Sequence, residues 1–140
     1  MRGLRRCRAA TNPLIMRKLI TTGTPFERDI GYSRAVLCDG WVFVAGTTGY
    51  DYITMAMPDS IEDQCRNALQ TIESVLKEAG ASLDHVVRVS YVVPAPSEWS
   101  RCWPIVASAF EVARPAATMI SAALQNPEMK IEIEVTARLP

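Results

Sequence analysis

The chain is poor in the residues that make chemistry easy to find. It holds one histidine, His85, so a Ser/His or Cys/His nucleophilic pair would have to be built around that single side chain at a helix–strand junction. An exposed or capping histidine is the expected reading there. Its four cysteines, Cys7, Cys38, Cys65 and Cys102, are widely spaced with no CxxC, which with one histidine excludes a Cys/His zinc site. Free thiols in a reducing compartment are expected, and a cytoplasmic location with them. No apolar run approaches the roughly 18 residues of a membrane span. The N-terminus also lacks the apolar core of a secretory signal. The glycines of Gly46-Thr47-Thr48-Gly49 match neither GxGxxG nor a phosphate loop with a following GK[ST]. No metal ligand spacing occurs, and no cofactor is expected.

What is present suits one domain. The 140 residues are 49% hydrophobic and 21% charged, enough for a real core. Formal net charge is zero, yet the charge is unevenly spread. Residues 1–15 carry Arg2, Arg5, Arg6 and Arg8 and no acid, which leaves 11 basic against 15 acidic residues in the body. A basic, disordered tail over residues 1–15 and a single domain over 16–140 are expected. The acidic body argues against nucleic acid as a partner.

The pattern along the chain is α+β. Lys18–Thr22 reads as a short strand, followed by a loop, TPFERDIGYS, with Pro25, Gly31 and Ser33 as turn residues. Ala35–Cys38 and Trp41–Ala45 flank Asp39-Gly40, a strong hairpin signal. A helix runs from a cap near Asp59 and Ser60 through Ile61, Cys65, Leu69, Ile72 and Leu76 to a stop at Gly80. Asp84–Val93 reads as a strand ended by Pro94 and Pro96. Ser97 can cap a second helix with Trp99, Trp103, Val106 and Phe110 on its apolar face, and Pro104 makes it start late or bend. Two more strands, Ala117–Leu124 and Lys130–Leu139, flank the turn at Gln125–Met129. The last alternates cleanly: Ile131, Ile133 and Val135 on one side, Glu132, Glu134 and Thr136 on the other.

This order predicts a mixed sheet with two helices on one face. The other face would be exposed in a monomer, and an apolar face of that size predicts self-association through it. Carboxylates on the other side of an inner strand mean either that this face is wetted, with Glu132 an exposed glutamate paired to a neighbouring Arg or Lys, or that it faces a cleft. Candidate donors around it are the amides and hydroxyls of Gly46–Gly49, with Tyr32, Ser33 and Arg88. Glu132 is the candidate acid, base or water-positioning group.

Taken together, GYSRAV (Gly31–Val36), the arm WVFVAG, the helix end LKEAG, DHVVRVSYVV, Arg114–Thr118 and KIEIEVTA resemble the RidA/YjgF group of reactive-intermediate deaminases over about residues 18–138. The resemblance implies a chorismate-mutase-like fold and a homotrimer whose ligand clefts lie between subunits. Active relatives hydrolyse 2-aminoacrylate-type enamines and imines to 2-ketoacids and ammonia, and some relatives are linked to RNA cleavage or translation inhibition. Carried over by position, Glu132 matches the glutamate that handles the attacking water, and Tyr32 the cleft tyrosine. The substrate-gripping arginine falls at Ala117, and the donor after the hairpin at Thr47. Without that arginine a carboxylate would need Arg88 or Arg34, and a small, less acidic ligand bound or transformed in the cleft is the expectation. A deaminase with a substitute clamp is the alternative.

Overall fold

A computed structural model describes residues 17–140, so the basic tail and its expected disorder lie outside the described residues. The sheet has six strands: β1 (Lys18–Ile20), β2 (Ala35–Cys38), β3 (Trp41–Thr48), β4 (Val86–Val92), β5 (Ala116–Ile120) and β6 (Glu132–Arg138). They lie in the order β1-β2-β3-β6-β4-β5. Every pair is antiparallel except β4–β5, which is parallel and therefore needs the helical crossover between them. The mixed α+β architecture is as the pattern predicts.

The β2–β3 hairpin turns at Asp39 and Gly40, both with positive φ (56° and 77°), the geometry that a two-residue primed turn demands. Val42 and Val44 of β3, Ile133, Val135 and Ala137 of β6, and Val89 of β4 are buried. The helix Ile61–Glu78 covers β3 and β6 with Ile61, Cys65, Ala68, Leu69, Ile72 and Leu76. Its cap is Ser60, whose hydroxyl accepts from the Asp63 amide at 3.1 Å. The alternate positions on β1 and β3 stay open: Leu19, Trp41 and Phe43 are exposed.

Four expectations need correction. The stretch read as a loop contains a short helix, Pro25–Ile30, started by proline in its first turn and ended by Gly31 at φ 84°. In chain order the helices are therefore α1 (Pro25–Ile30), α2 (Ile61–Glu78) and α3 (Trp103–Ala109). α3 does start late: a 3-10 segment covers Pro96–Cys102, and Pro104 then sits in the first turn, where no amide is missed. The change from 3-10 to α breaks the expected apolar period. Phe110 is buried and Trp99 packs against Tyr91 at 4.6 Å between ring centroids, but Trp103 is exposed. Finally, β1 ends at Ile20 and β5 at Ile120, earlier than their apolar character suggested. His85 accepts from the Ser82 amide at 2.9 Å, a local cap.

Candidate functional site

One irregularity in the sheet builds the site. Along β3–β6, Val44 pairs with Val135, but the next pair is Thr47 with Ile133. Ala45 and Gly46 on β3 therefore oppose the single Glu134 on β6, the count of a β-bulge. Beyond the bulge the faces of β3 are exchanged. Thr47 turns into the core and is fully buried, while Gly46 and Thr48 line a cavity with Glu132. A Cβ on Gly46 would collide with the Glu132 carboxylate, so glycine makes the room that this side chain occupies.

The cavity holds about 90 Å³. Its walls are Phe26 and Ile30 of α1, Tyr32 and Arg34 after it, Tyr50 and Tyr52 beyond β3, and Gln125 and Met129 before β6. Two loops meet at its rim: Asn126 donates to the Tyr50 hydroxyl at 3.2 Å, and that hydroxyl donates to Glu128 at 3.0 Å. Beneath them the fully buried Gln64 donates to the carbonyls of Pro58 and Glu128 and accepts from the Lys130 amide.

Arg34 is the cation of the site, and only 2% of it is exposed. Its Nη1 donates to the Gly46 carbonyl (2.9 Å) and to Thr47 Oγ1 (3.1 Å), and its Nη2 to the Tyr32 hydroxyl (3.0 Å). The guanidinium lies 5.4 Å from the Tyr32 ring and 5.7 Å from that of Tyr52, both within cation–π range. Its Nε is buried and has no hydrogen-bond partner among the described residues.

Two glutamates belong to this unit. Glu27 is buried, which alone would raise its pKa, yet hydrogen bonds to the carboxylate outweigh burial and bring it to about 2. It accepts from the amides and hydroxyls of Thr22 and Thr24 and from the amide of Arg34. The bond to the Thr24 amide is half of a capping box for α1. Glu132 moves the other way. Burial raises its pKa, the Arg34 charge opposes the rise, and the Glu134 charge adds to it. Burial likewise raises Tyr52, against the charge of Arg34.

Of the residues singled out from sequence, Tyr32, Arg34, Gly46, Thr48 and Glu132 share this cavity. Ser33, Thr47, Gly49, Arg88 and Ala117 do not line it within one chain. Thr47 lies behind the wall and touches Arg34, because the bulge turns its side chain inward. Ser33 borders surface grooves beside Leu19 and Thr24 instead. Arg88 pairs with Thr136, and Ala117 with Val89. Since strand side chains alternate, Ala117 projects to the face opposite Glu132, three rows away, against Phe110 and Val106. Within one chain Glu132 and Ala117 are therefore not neighbours. Arg34, raised only as a substitute clamp, is the cation that meets Glu132. Phe26, Tyr50, Tyr52, Gln125 and Met129 were not foreseen. The alternating tyrosines after Gly49 were the available signal.

The family profile described as endoribonuclease L-PSP matches residues 25–139, most of the chain. The chain belongs to the RidA/YjgF/UK114 family. A crystal structure of a YjgF/YER057c/UK114 family member from Mycobacterium tuberculosis superposes with a TM-score of 0.81 at 39% identity, over 89% of this chain and all of that one. The RutC family protein UK114 of Drosophila melanogaster is 29% identical over 124 residues, 88% of this chain and 90% of that protein. A 2-iminobutanoate/2-iminopropanoate deaminase of Rattus norvegicus is 27% identical with the same coverage. The family is associated with small-metabolite binding and deamination.

Proposed function

We propose that this RidA/YjgF family domain, residues 16–140, binds or transforms a small metabolite at the Tyr32–Arg34–Glu132 cavity, and that the cavity is completed by a neighbouring copy in a homotrimer. The observation that carries the reading is a buried arginine with unspent donor capacity beside a half-buried glutamate with no donor of its own among the described residues. Buried polar groups are nearly always satisfied, so such a pair is a place for a ligand. The exposed Leu19, Trp41 and Phe43 support association through the bare face of the sheet. Residue 117 can meet Glu132 only from another copy, and it would then bring a methyl group where a carboxylate grip needs a cation. The substrate is therefore not a 2-aminoacrylate-type acid held in the manner of the family's active members.

A second reading, a deaminase with a substitute clamp, draws support from Arg34 in the cavity and from relatives named as 2-iminobutanoate/2-iminopropanoate deaminases. Ammonia release from freshly generated 2-aminoacrylate and related imines separates the two. The first reading expects no turnover and the appearance of activity in Ala117→Arg. Turnover at the rate of an active family member, abolished by Glu132→Ala, would establish the second instead. Light scattering tests the assembly: a monomer mass of 15.5 kDa would end the trimer proposal.

A further inference from the structure

The hydrogen-bonding capacity left open in this cavity describes a molecule. Arg34 carries five N–H bonds. Three are used, on the Gly46 carbonyl, Thr47 and Tyr32. Of the other two, Nε–H has no partner among the described residues but is fully enclosed, which leaves the second Nη2–H as the free donor. Glu132 accepts no hydrogen bond from the described residues, and what acts on it is burial and neighbouring charge. Arg34 with a donor to spare and Glu132 with open acceptors thus line one small space.

Resting on the reading of this cavity as the ligand site, we propose that its ligand is a small, planar, uncharged molecule with an amide-like edge, giving an N–H to Glu132 and a carbonyl-type oxygen to Arg34. Charge favours a neutral guest. The groups that bear on the space are Arg34, Glu132, Glu27 bonded to the Arg34 amide, Glu134 next but one to Glu132 on β6, and Glu128 at the rim on the Tyr50 hydroxyl. A bound anion would set a further negative charge among four carboxylates with one guanidinium to offset them. A bound cation would meet that guanidinium, which already lies against the faces of Tyr32 and Tyr52. Shape favours a flat guest, since Phe26, Tyr50 and Tyr52 line the space with Ile30 and Met129. Its volume of about 90 Å³ admits roughly six to nine water-sized groups, the size of a five-membered lactam.

The test uses the full chain in its own assembly, titrated with 2-pyrrolidinone, N-methyl-2-pyrrolidinone and pyruvate and followed by protein-observed NMR. 2-Pyrrolidinone is expected to saturate with shifts at Tyr32 and Tyr52. N-methylation, which removes the donated N–H, is expected to weaken binding at least about tenfold, and Glu132→Ala should erase that difference. Because the methyl comparison is made on the unaltered protein, it does not depend on any variant folding. Tighter binding of pyruvate than of the lactam, equal affinity with and without the N-methyl group, or no saturable binding by any probe would overturn the proposal. The site reading falls separately if shifts cluster elsewhere, or if Glu132→Ala leaves every bound probe unaffected.

Discussion

Glu27 and Glu132 are both drawn out of water beside Arg34, and the fold treats them in opposite ways. Glu27 is saturated, holding five donors with its two oxygens, one of them the amide of Arg34 itself. Glu132 receives nothing from the described residues, and feels burial and charge alone. One carboxylate is thus part of the framework, and its ionised form is what the framework needs. The other is held away from water without compensation, the condition under which a carboxyl group is available for binding or proton transfer. Burial by itself does not distinguish them. The count of donors does.

The largest expected effect comes from breaking the saturated member. Its pKa of about 2, against an ordinary 4.5, corresponds to about 3 kcal/mol of folding stability. Because the folded value is depressed, that contribution is complete above about pH 4.5 and drains away as pH falls toward 2. Glu27→Gln should therefore lose about 3 kcal/mol at pH 7 in urea unfolding, and the two stability curves should converge in acid. Gly46→Ala comes next. A methyl group set against the Glu132 carboxylate forces that side chain aside, at a cost of about 1–2 kcal/mol, and should abolish probe shifts in the cavity while the fold persists by circular dichroism. Thr22→Val removes the shortest bond to Glu27, 2.7 Å from hydroxyl to carboxylate. It should cost about 1.5 kcal/mol and move the acid transition to higher pH.

Glu132→Gln should have the smallest effect on stability, and the opposite sign. A carboxyl group whose folded pKa is raised takes stability away as pH climbs above its unfolded value, so neutralising it should leave the protein at least as stable at pH 7. The difference should vanish below about pH 4.5. Paired pH–urea titrations of the four proteins decide whether the contrast is real. A loss at Glu132→Gln as large as that at Glu27→Gln would erase it.

The sequence made the frame legible where local chemistry and tertiary packing agree. The Asp39-Gly40 turn, the one-sided stripe from Ile61 to Leu76 and the alternation of β6 each carry their own period, and each appears at the expected place. Glu132 was legible for the same reason, as the polar side of a strand with a buried face. α1 was not, because Pro25–Ile30 is too short to show a helical period, and Pro25 and Gly31 read equally well as turn residues. Thr47 and Thr48 are equal candidates in the sequence because a bulge adds one residue without marking it, so the polar character of both hides which faces the cavity. Arg34 sat at the unspecified position of the Gly31–Val36 motif, and only three-dimensional contact with Tyr52 and Gly46 reveals its part. Ala117 lies on the face opposite Glu132 within its own chain, and matching a motif says which residue stands at a position, but not which face of the sheet, or which copy, it serves.

That bulge also sets a rule about length. The extra residue lies between the paired valines and the Thr47–Ile133 pair. Removing Ala45 would restore even pairing: Gly46 would oppose Glu134, and Thr47 and Thr48 would keep Ile133 and Glu132 as partners and keep their faces. Adding a residue between Thr47 and Thr48 would instead force a second bulge or turn Thr48 into the packed interior. The site thus tolerates a codon lost at position 45 better than one gained just beyond position 47.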